Sequence, residues 1–127
     1  MGYRSEVVLV VGKEVMPQFM VTMAKSPEAR AMCFGEADRR ADYEEKGNML
    51  FAWDGIKWYD SFEGVSAIQD FLDWCDSESV PHPDSEDGAP VDGDECYKFV
   101  RIGEDSEDIE ERGGGFWDVG VRRTIEY

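Results

Sequence analysis

The chain has 127 residues, of which 42% are hydrophobic and 33% are charged, and its 29 Asp and Glu against 13 Lys and Arg give a net charge of -16. This length suits one domain, and the apolar fraction is too high for a chain that is disordered throughout. Because so negative a surface repels nucleic acid and anionic membranes, we expect no direct binding to either and expect a protein partner with a basic surface.

The first third of the chain predicts a strand followed by helices. Residues 7–11 are all aliphatic and mostly β-branched, which is typical of a buried strand. Residues 14–25 carry apolar side chains at helical spacing and predict an amphipathic helix. The Ser-Pro-Glu sequence at residues 26–28 supplies a cap, a first-turn proline and a first-turn acid, so a short helix or turn should follow to about residue 34.

The middle of the chain predicts a β-hairpin and a further helix, after residues 35–42, which are polar and show no period. Apolar and aromatic runs at residues 49–53 and 56–59 flank Asp54-Gly55, a dipeptide typical of tight hairpin turns. One apolar stripe, with members three or four positions apart, then predicts a helix from near residue 61 or 64 to near residue 75.

The second half alternates polar segments with short strands. Residues 76–95 contain acids, Ser, Pro and Gly but no Lys or Arg, which predicts a flexible acidic loop. Residues 96–102 alternate like a half-buried strand, glycines at 113–115 indicate a turn, and residues 119–127 should contain the last strand. Together these elements predict a single α+β domain over residues 1–127, with a mostly antiparallel sheet covered on one face by two helices.

The negative charge is concentrated in the second half. Residues 71–127 hold 17 acidic and 5 basic residues, against 12 and 8 in residues 1–70. Within an acidic run that Ile109 should anchor to the core, six carboxylates are candidate partner-binding residues: Glu104, Asp105, Glu107, Asp108, Glu110 and Glu111. Two interpretations stay open, a docking surface with charges at phosphate-like intervals and a solubilising face that keeps an edge strand from aggregating.

Aromatic residues gather around the predicted hairpin, with Trp53, Trp58, Tyr59 and Phe62 within ten positions. Aromatic side chains on a hairpin usually form core or cross-strand contacts. An exposed Trp53 or Trp58 beside acids would instead be a protein-binding anchor.

The sequence offers no catalytic residue, cofactor motif or metal site. The single histidine, His82, lies between two prolines in the predicted loop, where nothing fixes the geometry of a general base. A calcium loop starting at residue 84 fails the spacing of its template, and neither a P-loop nor a dinucleotide glycine pattern is present. Three cysteines without C-x-x-C spacing, in a chain without a signal-peptide pattern, predict free thiols and a cytoplasmic protein.

Three short blocks are GYRS at residues 2–5, WYDSF at residues 58–62 and VRIGED at residues 100–105. In this order they resemble blocks of a group of small, mostly uncharacterised phage and prophage proteins, in which the third block reads IRIGED. The resemblance implies a viral genomic origin and the cytoplasm of a host cell, and it implies no activity. With the flanking residues that share it, at 1–7, 57–62 and 99–105, the resemblance covers about a sixth of the chain, and it excludes the acidic loop.

Two functional hypotheses follow. The first is a non-enzymatic, acidic binding protein that inhibits or redirects a host protein with a basic nucleic-acid channel, such as a CRISPR effector, restriction enzyme or polymerase, by acting as a nucleic-acid mimic. The second is a structural or accessory phage protein that self-associates or binds a phage partner through the aromatic hairpin. A small enzyme ranks third, and its sign would be a deep pocket lined by converging polar groups.

Overall fold

A computed structural model describes residues 3–81, 89–105, 107–116, 119–121 and 125–126. The elements in chain order are β1 (Ser5–Val11), α1 (Met16–Lys25), α2 (Pro27–Ala31), a π-helical turn (Met32–Glu36), β2 (Arg39–Tyr43), β3 (Glu45–Ile56), α3 (Glu63–Ser77), β4 (Ser79–Pro81), β5 (Pro90–Asp92), a 3₁₀ turn (Gly93–Glu95), β6 (Tyr97–Ile102), β7 (Ile109–Arg112), β8 (Gly120–Val121) and β9 (Ile125–Glu126). Five strands form an antiparallel sheet in the order β2-β3-β1-β6-β7. This arrangement confirms the predicted α+β class.

Strand β1 lies at the centre of the sheet and is buried on both faces. Its side chains from Val7 to Val11 are at most 1% exposed. Val7, Leu9 and Val11 pack with α1, α2 and α3, whereas Val8 and Val10 belong to a second apolar cluster on the opposite face. The uninterrupted aliphatic run of β1 therefore requires apolar cover on both sides of the sheet.

The two faces are covered by different parts of the chain. All three helices pack on one face, where Phe19 of α1 and Phe71 of α3 meet edge-to-face with ring centroids 5.3 Å apart. On the other face, buried Val119 and half-buried Phe116 pack against the second cluster. The Phe116 ring also lies 5.8 Å from the ring of Tyr43. The chain after β7 thus completes the core.

The predicted helices are confirmed, with small shifts at their ends. The Ser26 Oγ accepts a hydrogen bond from the Ala29 N–H at 3.2 Å, and Pro27 follows at the first position of α2, as its sequence indicates. In α3 the apolar stripe that predicted the helix is buried against the sheet, and the helix ends two residues later than expected.

The predicted hairpin at Asp54-Gly55 is wrong, because β3 runs without interruption through both residues. The pairing of β3 with β1 changes register here, since Val7 pairs with Trp53 and Ser5 with Ile56, so Asp54-Gly55 accommodates a β-bulge. The backbone at this bulge is contacted by the start of the chain, because the Arg4 guanidinium donates to the Gly55 carbonyl at 3.1 Å. The turn that precedes β3 is at Glu44, with a φ of 60°, and follows β2, in agreement with the strand end and turn that residues 43–48 predict.

The described ends of the predicted loop over residues 76–95 contain regular secondary structure. Its first residues end α3, β4 and β5 form an antiparallel pair, and a 3₁₀ turn precedes β6. Val80, which is 7% exposed, joins the helix-side core and explains why this polar segment is anchored there. Residues 82–88, which include His82, lie outside the described residues.

The end of the chain also differs from expectation. In place of one strand over residues 119–127, β8 and β9 pair with each other in an antiparallel arrangement. Thr124 and Tyr127, expected in the last strand, lie outside the described residues.

Gly93 provides a test of how the corrected segment packs. A Cβ at Gly93 would clash with the main-chain carbonyl oxygen of Cys75 in α3 and would lie 2.9 Å from that of Glu78, whereas a Cβ at Gly35 would meet nothing within 4 Å. We expect Gly93→Ala to lower the free energy of unfolding by about 1–3 kcal/mol, measured by chemical denaturation. The control, Gly35→Ala, should leave it unchanged or slightly raised. A Gly93→Ala protein as stable as the wild type would contradict this packing.

Candidate functional site

The acidic run of β7 and the acids of α3 meet at one edge of the sheet. Arg112 of β7 connects them, because its Nη2 donates to a carboxylate oxygen of Asp73 and to one of Asp76, both at 2.8 Å. Next to this contact, the Gly114 N–H donates to the Asp94 carbonyl at 2.6 Å. The two acid-rich stretches of the sequence are therefore neighbours in the fold.

Arg101 of β6 forms ion pairs with two acids at this edge, on the helix side of the sheet. Its guanidinium forms a bidentate ion pair with Asp108, with Nη2–Oδ1 and Nη1–Oδ2 distances of 2.7 and 3.0 Å. Its Nε donates to Glu110 at 3.2 Å, and its Nη1 also donates to the Ser5 hydroxyl at 3.2 Å. Because Arg101 lies directly opposite Glu110 in the β6–β7 register, the pairing of the two strands brings these charges together.

Tyr3 joins the same network from the start of the chain. Its hydroxyl donates to Asp108 Oδ2 at 2.8 Å and accepts from the Asp105 N–H at 2.9 Å. Its own N–H donates to the Tyr59 hydroxyl at 2.7 Å. The neighbouring Arg4 N–H donates to Glu104 Oε2 at 3.2 Å. The turn before β7 is thereby held by residues about a hundred positions earlier in the chain.

These contacts fix the charge on Asp108 and Arg101. The hydrogen bonds from Arg101, and then the one from Tyr3, lower the pKa of the Asp108 carboxyl below its usual value. Hydrogen bonds from its guanidinium, first to Asp108, raise the pKa of Arg101 further. Both groups are therefore charged near neutral pH, and the Arg101 guanidinium is half-buried between its two carboxylate partners.

The six predicted carboxylates separate into two groups. Asp108 and Glu110 are half-buried and paired with Arg101. The other four are exposed and form what we call the acidic edge: Glu104, Asp105, Glu107 and Glu111.

Ile109 does not anchor this run to the core, as the sequence suggested, because its side chain is 47% exposed. It pairs with Ile102 at the end of β6, and the next position along β7, Glu110, points toward the helix side with Arg101. Tyr3 and Arg101 provide the attachment instead, through hydrogen bonds and an ion pair rather than through apolar contact.

The two candidate tryptophans lie in the core. Trp53 is 2% exposed and Trp58 is 6% exposed, and their ring centroids are 5.8 Å apart. The Trp53 indole N–H donates to the Met32 carbonyl at 3.0 Å. Neither ring is exposed as the predicted protein-binding anchor requires, and the aromatic hairpin on which the accessory hypothesis depended is absent from this part of β3.

The described side chains give little support to other site chemistry. Cys33, Cys75 and Cys96 are free and buried, and burial raises the pKa of each thiol to about 12. Within residues 3–81, 89–105, 107–116, 119–121 and 125–126, no three His, Cys, Asp or Glu side chains are grouped so as to hold a metal ion. In the same residues, no helix combines the length and apolar character needed to cross a membrane.

Sequence reasoning missed Tyr3, Tyr59 and Arg101, although each lies in one of the blocks GYRS, WYDSF and VRIGED. The blocks are far apart in sequence, and the hydrogen bonds of Tyr3 with Tyr59, Asp105 and Asp108 bring them together.

Comparison with protein-family models, with curated proteins and with solved structures finds no match to the chain. The resemblance of the blocks to phage proteins therefore stays a prediction.

The lowered pKa of Asp108 predicts a pH-dependent contribution to stability. Because the folded pKa lies below the unfolded one, this contribution is present above the unfolded pKa and is lost as the pH falls through the folded pKa. Asp108→Asn should lower the free energy of unfolding by about 1 kcal/mol at neutral pH, a value reduced for partial exposure of the pair.

The difference between wild type and Asp108→Asn should shrink as the pH falls below the ordinary pKa of an aspartate, and it should vanish below the lowered pKa of folded Asp108. It is measured by chemical denaturation from about pH 7 to about pH 2. Asp42→Asn, an exposed acid in β2 at the far edge of the sheet, is the matched control and should show no such trend. A constant difference across this range would contradict the ion pair as the source of the contribution.

The buried thiols predict slow chemical modification. A rise in pKa from 9.0 to about 12 lowers the thiolate fraction near neutral pH about a thousandfold for each cysteine. The native protein should thus react slowly with a thiol reagent, and denatured protein, the control, should react rapidly at all three positions. One fast thiol in the native protein would contradict the burial of that cysteine.

Proposed function

We propose that this chain is a non-enzymatic, phage-encoded binding protein whose acidic edge occupies a basic, nucleic-acid-binding surface of a host protein. The net charge of -16 supports an electrostatic partner of opposite sign. The exposed carboxylates of the acidic edge supply a defined place for the contact. A nucleic-acid-binding protein has the complementary surface, since it neutralises phosphates with Lys and Arg.

The observation that carries the proposal is that the nearby arginines form their ion pairs with carboxylates other than those of the acidic edge. Arg101 and Arg112 each hold two carboxylates of the fold. Among the described residues, no Lys or Arg forms an ion pair with the four carboxylates of the acidic edge. Their charge is therefore available to a partner, and an incoming basic surface would not have to displace a cation paired with them in the described part of the chain.

Binding rather than catalysis fits the side chains that the structure describes at this edge. The Asp108 carboxylate and the Arg101 guanidinium satisfy each other, and the hydrogen bonds of Tyr3 are used to hold the turn. A catalytic base or nucleophile needs an open position toward a substrate, which these pairings occupy. The accessory alternative lost its main support when both tryptophans proved buried.

The proposal is tested with two variants of equal charge change. The edge variant replaces the carboxylates that face solvent and keeps Asp108: Glu104→Gln, Asp105→Asn, Glu107→Gln and Glu111→Gln. The amide oxygens can still accept the hydrogen bonds from the Arg4 and Glu107 N–H groups. The control variant neutralises four exposed acids elsewhere: Glu36→Gln, Asp42→Asn, Asp54→Asn and Asp70→Asn.

Tagged wild type and both variants are used to capture proteins from a bacterial host lysate, with washes at low and high salt and elution by duplex DNA. We expect a stoichiometric nucleic-acid-binding protein that is released by DNA and by salt, because exposed charges are screened beyond about 8–10 Å in ordinary buffers. The edge variant should lose this protein and the control variant should retain it. Equal capture by the edge variant and the wild type would overturn the proposal.

A further inference from the structure

A cleft of about 380 Å³ lies beside the acidic edge. Arg101 and its two ion-pair partners, Asp108 and Glu110, are among its lining residues. It is formed where the start of the chain, the residues after β3, α3 and the β6–β7 pair meet. Aromatic and acidic side chains share its lining: Tyr3, Trp58, Tyr59, Asp60, Asp108 and Glu110.

The charged groups around the cleft leave a negative excess. Three carboxylates, those of Asp60, Asp108 and Glu110, line it together with one guanidinium, that of Arg101. The guanidinium donates to Asp108, Glu110 and the Ser5 hydroxyl, so its charge is already matched within the fold. The Asp60 Oδ1 accepts a hydrogen bond from the neutral side-chain amide of Gln69, at 2.9 Å. An occupant with a positive charge is therefore favoured over a neutral or anionic one.

The aromatic lining adds a second preference for a cation. Tyr3 is 37% exposed and its backbone is tied to the Tyr59 hydroxyl, so the two tyrosines are held next to each other. The Tyr59 ring is also fixed against Phe62, with centroids 5.0 Å apart. Aromatic faces next to carboxylates bind guanidinium and ammonium groups through the ring quadrupole as well as through charge.

Within the described part of the chain, Trp58 adds an unpaired hydrogen-bond donor to the lining residues of the cleft. It is 6% exposed and lines the cleft, and its indole Nε1 is buried without a hydrogen-bond acceptor among the described residues. A buried donor without a partner is unfavourable, and such donors are rare in folded proteins. An occupant that brings an oxygen acceptor against the Trp58 edge would satisfy it.

We propose that this cleft binds an arginine or lysine residue of the partner, with the basic side chain among the tyrosines and carboxylates and a main-chain carbonyl oxygen as the acceptor for Trp58. The inference rests on the proposed function and names the chemistry of the contact that anchors the partner. The acidic edge supplies attraction over distance, and the cleft selects a single basic residue in a peptide segment.

The test uses the purified chain and a pair of model peptides. Acetyl-Gly-Arg-Gly-amide is titrated at low salt while the indole N–H resonance of Trp58, assigned with Trp58→Phe, is followed by NMR. The matched peptide carries citrulline in place of arginine, which keeps the shape and removes the charge. We expect saturable binding of the arginine peptide with a dissociation constant in the millimolar range and a shift of the Trp58 resonance.

Two conservative variants test whether the arginine peptide binds in the cleft. Asp60→Asn should weaken the arginine peptide about threefold, as expected for one partly exposed charge pair, and Asp42→Asn should leave its affinity unchanged. An absent or unsaturable shift, equal binding of the citrulline peptide, or equal effects of the two variants would overturn the inference.

This titration needs no host protein, so its failure is distinct from failure of the proposed function. A chain that binds the arginine peptide but captures no nucleic-acid-binding protein would overturn the proposed function alone. A chain that captures such a protein through its acidic edge but does not bind the peptide would overturn the cleft inference alone.

Discussion

The burial of β1 on both faces is the constraint on which the other features of the fold depend. Five consecutive aliphatic side chains, each at most 1% exposed, require apolar cover above and below the sheet. The helices supply one cover, and the chain after β7, through Val119 and Phe116, supplies the other. With both faces covered, a chain that carries -16 must place its charge on helix exteriors and at sheet edges. The β7 edge receives the most acidic part of the sequence.

Placing so many acids at one edge requires internal counter-charges. Arg101 and Arg112 are half-buried cations between β7 and the helix side, and each forms ion pairs with two carboxylates, which leaves one negative charge in excess at each arginine. Tyr3 adds the hydrogen bond that fixes the turn before β7. The inner carboxylates are therefore structural, and they position the outer ones to face solvent. The same network forms one side of the cleft, so the proposed attraction and the proposed selection of a partner are assigned to adjacent parts of one edge.

The elements that the sequence predicted correctly are those that local periodicity determines. The aliphatic run of β1, the cap at Ser26 and the stripe of α3 each specify their own structure. The errors arose where distant contacts decide. Asp54-Gly55 suits a hairpin or a bulge, and pairing with β1 selects the bulge. The exposed side chain of Ile109 could not be foreseen, because its expected role is taken by Tyr3, more than a hundred residues away.

Hydrogen exchange of the chain in complex with its captured partner tests the central claim most directly, because it reports which backbone amides the partner covers. Our account predicts slower exchange in residues 103–112, which contain the acidic edge, and around Tyr59, which lines the cleft. It predicts unchanged exchange in β2 at the opposite edge of the sheet. Protection confined to β2 or to the outer face of α1, with residues 103–112 unaffected, would contradict the assignment of this edge as the binding surface.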